Sequence, residues 1–178
     1  MTTRYPPLQA AQLGAAFRAL DGLLTGPLTL VVGGGTAMML AYRLPVRTMD
    51  VDAYPVGASL DDVLPAVRAV AKDLGLPPDW INPYFETFAH VLPADYGERL
   101  RPIFDGERLH ARALGVEDLL VMKCFAGREK DVSHARALLK RNPDLEIVER
   151  RLQELADRGV SGAQDALDFY DDLAGGAR

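Results

Sequence analysis

The run Gly33-Gly34-Gly35-Thr36 constrains this chain more than any other feature. It follows Leu28-Thr29-Leu30-Val31-Val32, a short, β-branched, apolar stretch of the kind that forms a buried strand. It feeds Thr36-Ala37-Met38-Met39-Leu40-Ala41-Tyr42, apolar nearly all round, which predicts a short helix buried on most sides. A strand that ends in glycines and opens a helix can bring backbone N–H groups close to an anion, and the helix dipole favours negative charge there. Thr36 can add a hydroxyl to the same phosphate. Glycines also serve tight turns for conformational reasons alone, so the run by itself admits both readings. Its spacing matches neither the dinucleotide-binding fingerprint nor the P-loop.

The second constraint is a pair of acids. Arg47 to Tyr54 reads as the next strand, and side chains alternate along a strand. Thr48, Asp50 and Asp52 then share one face, while Met49, Val51 and Ala53 share the other. Carboxylates this close repel unless a cation lies between them or both stay hydrated. Magnesium takes a few carboxylates together with substrate phosphates, and phosphoryl or nucleotidyl transfer needs such a metal. The plainer alternative is two solvated aspartates on the open face of an edge strand.

Local patterns predict the rest. Leu8 to Leu24 is an amphipathic helix ended by Thr25-Gly26-Pro27, and Ser59-Leu-Asp-Asp caps a helix that stops near Gly75. Tyr84 to Leu92 is aromatic and alternating, hence a strand, and Leu109 to Leu114 is another after an Asp105-Gly106 turn. Only helices follow: Glu117 to Ala126, Lys130 to Lys140, about Leu145 to Ala156, and Gly162 to Leu173. This order gives an α/β (α+β) fold: a mixed sheet with flanking helices over residues 1–114 and a helical part over 115–178 packed on it.

Composition narrows the setting. No apolar run approaches the roughly 20 residues a membrane span needs. Met1 to Pro7 lacks the charged-then-apolar layout of a signal peptide. The single cysteine, Cys124, excludes an intrachain disulfide and argues against a cysteine zinc site. These features fit a cytoplasmic protein. The net charge of −5 argues against sequence-blind nucleic-acid binding. Positive charge nevertheless concentrates in Arg99, Arg101, Arg108, Arg112, Lys123, Arg128, Lys130, Arg136, Lys140 and Arg141, while Asp165, Asp168, Asp171 and Asp172 make the tail acidic. That stretch is either a local surface for phosphates or a solvated face.

Taken together, the strand, the Gly-Gly-Gly-Thr turn, the helix and the Arg47-x-Thr48-x-Asp50-x-Asp52 strand resemble the polymerase-beta-type nucleotidyltransferase superfamily. A later stretch is similar to small bacterial nucleotidyltransferase-like proteins, including the toxins of type IV toxin–antitoxin systems. It is Gly115-Val-Glu-Asp-Leu-Leu-Val-Met-Lys123-Cys-Phe-Ala-Gly-Arg128-Glu-Lys130-Asp131. The resemblance covers Leu28 to about Leu139. It implies that Gly33, Gly34, Gly35 and Thr36 grip a triphosphate, that Asp50 and Asp52 hold Mg2+ or Mn2+, that Lys123 contacts nucleotide phosphates, and that Asp131 lies near the reaction centre. His134 stands where that pattern has a second aspartate. From the residues alone, Lys123 sits among apolar neighbours and calls for an anionic partner unless it snorkels to water, and Asp131 can simply cap the next helix.

The superfamily also uses a third carboxylate on a later strand. On the predicted strand Tyr84 to Leu92 its place falls on His90, with Glu86 the nearest acid on the same face. Glu86 or Asp131 fills the role, or the site binds a nucleotide without catalysing. The implied function is Mg-dependent transfer of a nucleotidyl group from a nucleoside triphosphate to a hydroxyl of RNA, protein or a small molecule, as in the toxin of a toxin–antitoxin pair with an antitoxin partner. The alternative is a catalytically degenerate member of the fold that binds a nucleotide or a partner. Neither reading involves a membrane.

Overall fold

A computed structural model of the chain describes residues 5–175. Met1 to Arg4, part of the stretch weighed as a signal peptide, lie outside the described residues. The described chain forms two compact units: residues up to Thr87 with Leu100–Leu114, and Phe88–Arg99 with the chain from Gly115 onward.

The first unit carries a mixed five-stranded sheet in the order β3-β2-β1-β5-β4. Its strands are β1 (Leu28–Val32), β2 (Val51–Val56), β3 (Ile81–Asn82), β4 (Arg101–Asp105) and β5 (Leu109–Ala113). β1 runs antiparallel to β2 and parallel to β5, β3 runs parallel to β2, and β4 closes the far edge antiparallel to β5. Helices α1 (Ala10–Leu23), α2 (Gly34–Tyr42) and α3 (Leu60–Leu74) belong to the same unit. β1 is buried nearly throughout because it lies at the centre of the sheet, which explains its unbroken apolar sequence.

Three contacts fix this unit. Phe17 of α1 packs between Trp80 and Phe104, with ring centroids 6.0 and 5.7 Å away. Trp80 is fully buried, and its indole N–H donates to Val67 O of α3 at 3.0 Å. Asp21, near the end of α1, accepts the backbone N–H groups of Glu107, Arg108 and Leu109, tying the helix to the β4–β5 turn. The hydrogen bonds from Leu109 and Arg108 hold the Asp21 carboxyl below its ordinary value.

The second unit holds helices α4 (Val116–Ala126), α5 (Glu129–Leu139), α6 (Leu145–Asp157) and α7 (Ala163–Gly175). α4 packs against the other α6 and α7 and against α5, so it is buried on most sides. Phe88–Arg99 joins this unit through two arginines. Arg151 of α6 donates to Val91 O and Leu92 O at 2.8 and 2.7 Å. Arg99 forms a two-pronged ion pair with buried Asp118 at 2.8 and 3.0 Å. No helix among the described residues is long and apolar enough to cross a membrane.

The structure corrects the sequence reading in three places. Tyr84–Val91 is a 3-10 helix, not a strand. Asn82-Pro83 starts it: Asn82 Oδ1 accepts the Tyr84 N–H at 3.0 Å, and proline presets a helical φ. The predicted strand Arg47 to Tyr54 forms only from Val51 and runs on to Val56. Thr48 makes an isolated bridge with Leu8, and Asp50 lies in the bend before β2. β2 continues through Pro55 because β3 covers only its first two residues, so Pro55 lies where the strand is an edge and a missing N–H costs least. β3 and β4 themselves are additions to the expected elements. β3 is two residues long, and β4 carries Pro102 beside a register shift at the sheet edge.

Candidate functional site

The glycine turn lies against β2, and each glycine is required by a different neighbour. Gly33 N–H donates to Asp52 O at 2.8 Å, which joins the turn to the strand. A Cβ on Gly33 would lie 2.9 Å from the Phe85 ring, which also packs on Tyr54 with centroids 5.2 Å apart. Gly34 has φ 57°, a left-handed backbone that side chains disfavour, and a Cβ there would collide with the Asp52 carboxylate. A Cβ on Gly35 would lie 3.0 Å from Thr48 Cβ. The turn therefore brings the backbone that opens α2 directly against the side chain of Asp52.

No side chain caps the start of α2. A helix of nine residues presents unpaired N–H groups and a positive dipole end in its first turn. Thr36 does not turn its hydroxyl outward. It is fully buried, and Oγ1 donates to Asp50 O at 2.9 Å. Thr48 Oγ1 donates to the same carbonyl at 2.8 Å. Thr36 thus shapes the bend that carries Asp50.

Asp50 and Asp52 straddle the start of β2, one in the bend and one on the strand. Asp50 Oδ2 accepts from Asn82 Nδ2 at 2.8 Å. The later strand that pairs with β2 is therefore β3, and its residue opposite Asp52 is Asn82 rather than a carboxylate. Glu86 and His90 are both exposed on the 3-10 helix, so the strand face that would have joined them does not exist. Among the described residues, no group of three His, Cys, Asp or Glu side chains is placed to hold a metal ion. Asp50 and Asp52 beside an uncapped helix start still suit magnesium or manganese, which take few protein carboxylates when substrate phosphates supply the remaining oxygens.

The second unit has its own buried charge cluster. Lys123 and Asp131 are 7% and 0% exposed, and Lys123 Nζ lies 2.7 Å from Asp131 Oδ1. Arg128 Nε lies 2.7 Å from Asp131 Oδ2, and the Arg128 backbone N–H donates to the same oxygen at 3.2 Å. The inward lysine thus has its anion within its own unit, and Asp131 caps α5. Burial pushes the Asp131 carboxyl up, but the hydrogen bonds from Arg128 and Lys123 outweigh it and hold the group below the usual carboxylate range. Burial, reinforced by the nearby Lys123 ammonium, lowers the His134 imidazole. His134 Nδ1 is buried with no hydrogen-bond partner. The basic stretch is also less open than its sequence implies, since Arg99, Arg112, Lys123 and Arg128 are committed to Asp118, Asp105 and Asp131. Lys130, Arg136, Lys140 and Arg141 are exposed.

A glycine turn that opens a helix against an acid-bearing strand, on a mixed sheet of this order, defines a nucleotidyltransferase-like protein. The chain belongs to the family described as "Nucleotidyltransferase of unknown function (DUF6036)", whose model matches residues 12–169. No curated protein and no solved structure gives a significant match.

Two signals were open to sequence reasoning and passed over. Asn82-Pro83 is a helix-start pair, which points to a helical turn rather than a strand from Tyr84. Asp118, the third residue of α4, is the other: an acid on a helix otherwise buried at Leu119, Leu120 and Val121 requires a cation, and Arg99 supplies it.

Proposed function

We propose that the chain is a divalent-metal-dependent nucleotidyltransferase that moves a nucleotidyl group from a nucleoside triphosphate to a hydroxyl of RNA, protein or a small molecule. One observation carries the proposal: the backbone at Gly34 meets the carboxylate of Asp52 with no room for a Cβ between them. A helix start suited to phosphate and an acid suited to a cation thereby lie side by side. The first-turn N–H groups of α2, at Gly34 and Gly35, bind phosphate oxygens. Asp50 and Asp52 hold Mg2+ or Mn2+, which supplies charge neutralisation and alignment of the phosphates. Thr36 and Thr48 hold the Asp50 bend through its carbonyl. In the transfer, the acceptor oxygen bonds to the α-phosphorus, the bond to the bridging oxygen breaks, and pyrophosphate leaves while the hydroxyl proton passes to solvent.

A second reading is favoured by the missing third acid among the described residues. In it the same site binds a triphosphate with metal and performs no transfer. Incubation with α-labelled triphosphates, Mg2+ or Mn2+, and RNA or protein acceptors separates the two. The transferase labels an acceptor and Asp52→Ala abolishes the label. Binding without label selects the second reading. No binding by the wild type, with Asp52→Ala indistinguishable from it, removes both.

A further inference from the structure

Asn82 is a polar side chain that neither the glycine turn nor the acid pair accounts for. Its Nδ2 donates to Asp50 Oδ2 at 2.8 Å across 32 residues of chain. Its Oδ1 accepts the Tyr84 backbone N–H at 3.0 Å. The second contact settles the direction of the amide. A backbone N–H can only donate, so the atom facing Tyr84 is oxygen and the atom facing Asp50 is the NH2 group. Only the oxygen of an amide binds a cation, and here that oxygen is held by the chain. So placed, Asn82 presents its NH2 group to Asp50 and can orient that carboxylate.

Asp50 is the carboxylate that this amide meets. It lies in the bend before β2, where no strand ladder fixes its side chain. Its carbonyl is held by the hydroxyls of Thr36 and Thr48, which sets the backbone, and the Asn82 NH2 group meets its carboxylate. The register that pairs Asp52 with Asn82 brings the amide to Asp50. The contact adds a donor to Asp50 without adding a charge.

We infer that Asn82 is a positioning residue that fixes the Asp50 carboxylate through its NH2 group. Its role toward a cation rests on the metal-site reading of Asp50 and Asp52, whereas the clamp itself is a contact within the chain. Two measurements test them separately. In metal-free protein, the Asn82 side-chain amide protons exchange slowly by NMR, and Asp50→Ala abolishes that protection. By electron paramagnetic resonance, Asn82→Ser, which keeps an oxygen for the Tyr84 N–H but falls short of Asp50, weakens Mn2+ binding about 10-fold. In the Asp50→Ala background the same substitution changes nothing further, because it acts only through Asp50. Asn82→Thr behaves likewise and covers a failure of the serine variant to fold. Amide protection that survives Asp50→Ala overturns the inference, and so do effects on Mn2+ that add. Protection lost in Asp50→Ala in a protein that binds no Mn2+ upholds the clamp and removes the metal site.

Discussion

Replacing Gly34 by alanine tests the joint at the centre of the site. Gly34 has φ 57°, and an alanine in that left-handed region costs about 1–2 kcal/mol. The new Cβ also collides with the Asp52 carboxylate, so Asp52 must leave its rotamer, at a cost of about 0.5–1.5 kcal/mol. The sum is about 1.5–3.5 kcal/mol. Gly57 supplies the control: its φ is 73°, yet an added Cβ there meets nothing within 4 Å. Gly57→Ala therefore carries the backbone strain alone, and the difference of about 1 kcal/mol isolates the collision. Urea unfolding measures it through Trp80, the single tryptophan, which is fully buried and changes environment on unfolding. Repeating the titration with Mn2+ adds an independent reading, since a ligand that binds only the folded state raises the midpoint. Mn2+ is expected to stabilise the wild type and Gly57→Ala but not Gly34→Ala. Equal losses in both variants, with equal responses to Mn2+, would refute the argument.

Other outcomes follow from the second unit and from the thiol. Lys123→Met leaves Asp131 buried with Arg128 as its remaining cation. Because that partner persists, a loss of about 3 kcal/mol is expected, the low end for breaking a buried pair, and Lys123→Met/Asp131→Leu recovers most of it in the same urea titration. His134 is held below its ordinary value of 6.5. The unfolded chain therefore binds the proton first, so stability present above pH 6.5 falls as pH drops from there through the folded value. His134→Phe flattens the thermal midpoint over that window. Asp131 is also lowered, so its contribution is present above the ordinary carboxylate value near 3.8 and is lost as pH falls through the folded value; Asp131→Asn removes this acid limb from the melting profile. The Cys124 thiol is buried and pushed up to about 12. Mass spectrometry is expected to show no iodoacetamide adduct in native protein at neutral pH and full alkylation in urea.

Much of the fold was legible because its signals are local. The apolar run Leu28–Val32 became β1 with those bounds, and Ser59 caps α3 through Asp61 N as its sequence suggests. The four C-terminal helices lie within one or two residues of their predicted spans, since amphipathic periodicity and Gly or Pro punctuation act within a turn or two of chain. The turn at Gly33 to Gly35 and the acids at Asp50 and Asp52 were readable as a constellation for the same reason. What failed was the aromatic stretch from Tyr84. Alternating apolar residues fit a strand, but the Asn82 cap and Pro83 committed the chain to a helical turn. Once that strand was lost, Glu86 and His90 no longer shared a face.

The sequence by itself pointed to the nucleotidyltransferase superfamily, to most helices and to strands β1, β2 and β5, and to a glycine turn followed closely by an acid pair. These depend on residue type and short-range spacing. Only the tertiary structure decided which groups the acids touch. Asp52 is pressed on Gly34, Asp50 is bonded to Asn82, Asp21 binds the turn before Leu109, and Lys123 is turned to Asp131. Sheet register and helix packing set those pairings, and neither is encoded within any one segment. A two-residue strand such as β3 has almost no propensity of its own, and it exists because β2 is there to pair with it.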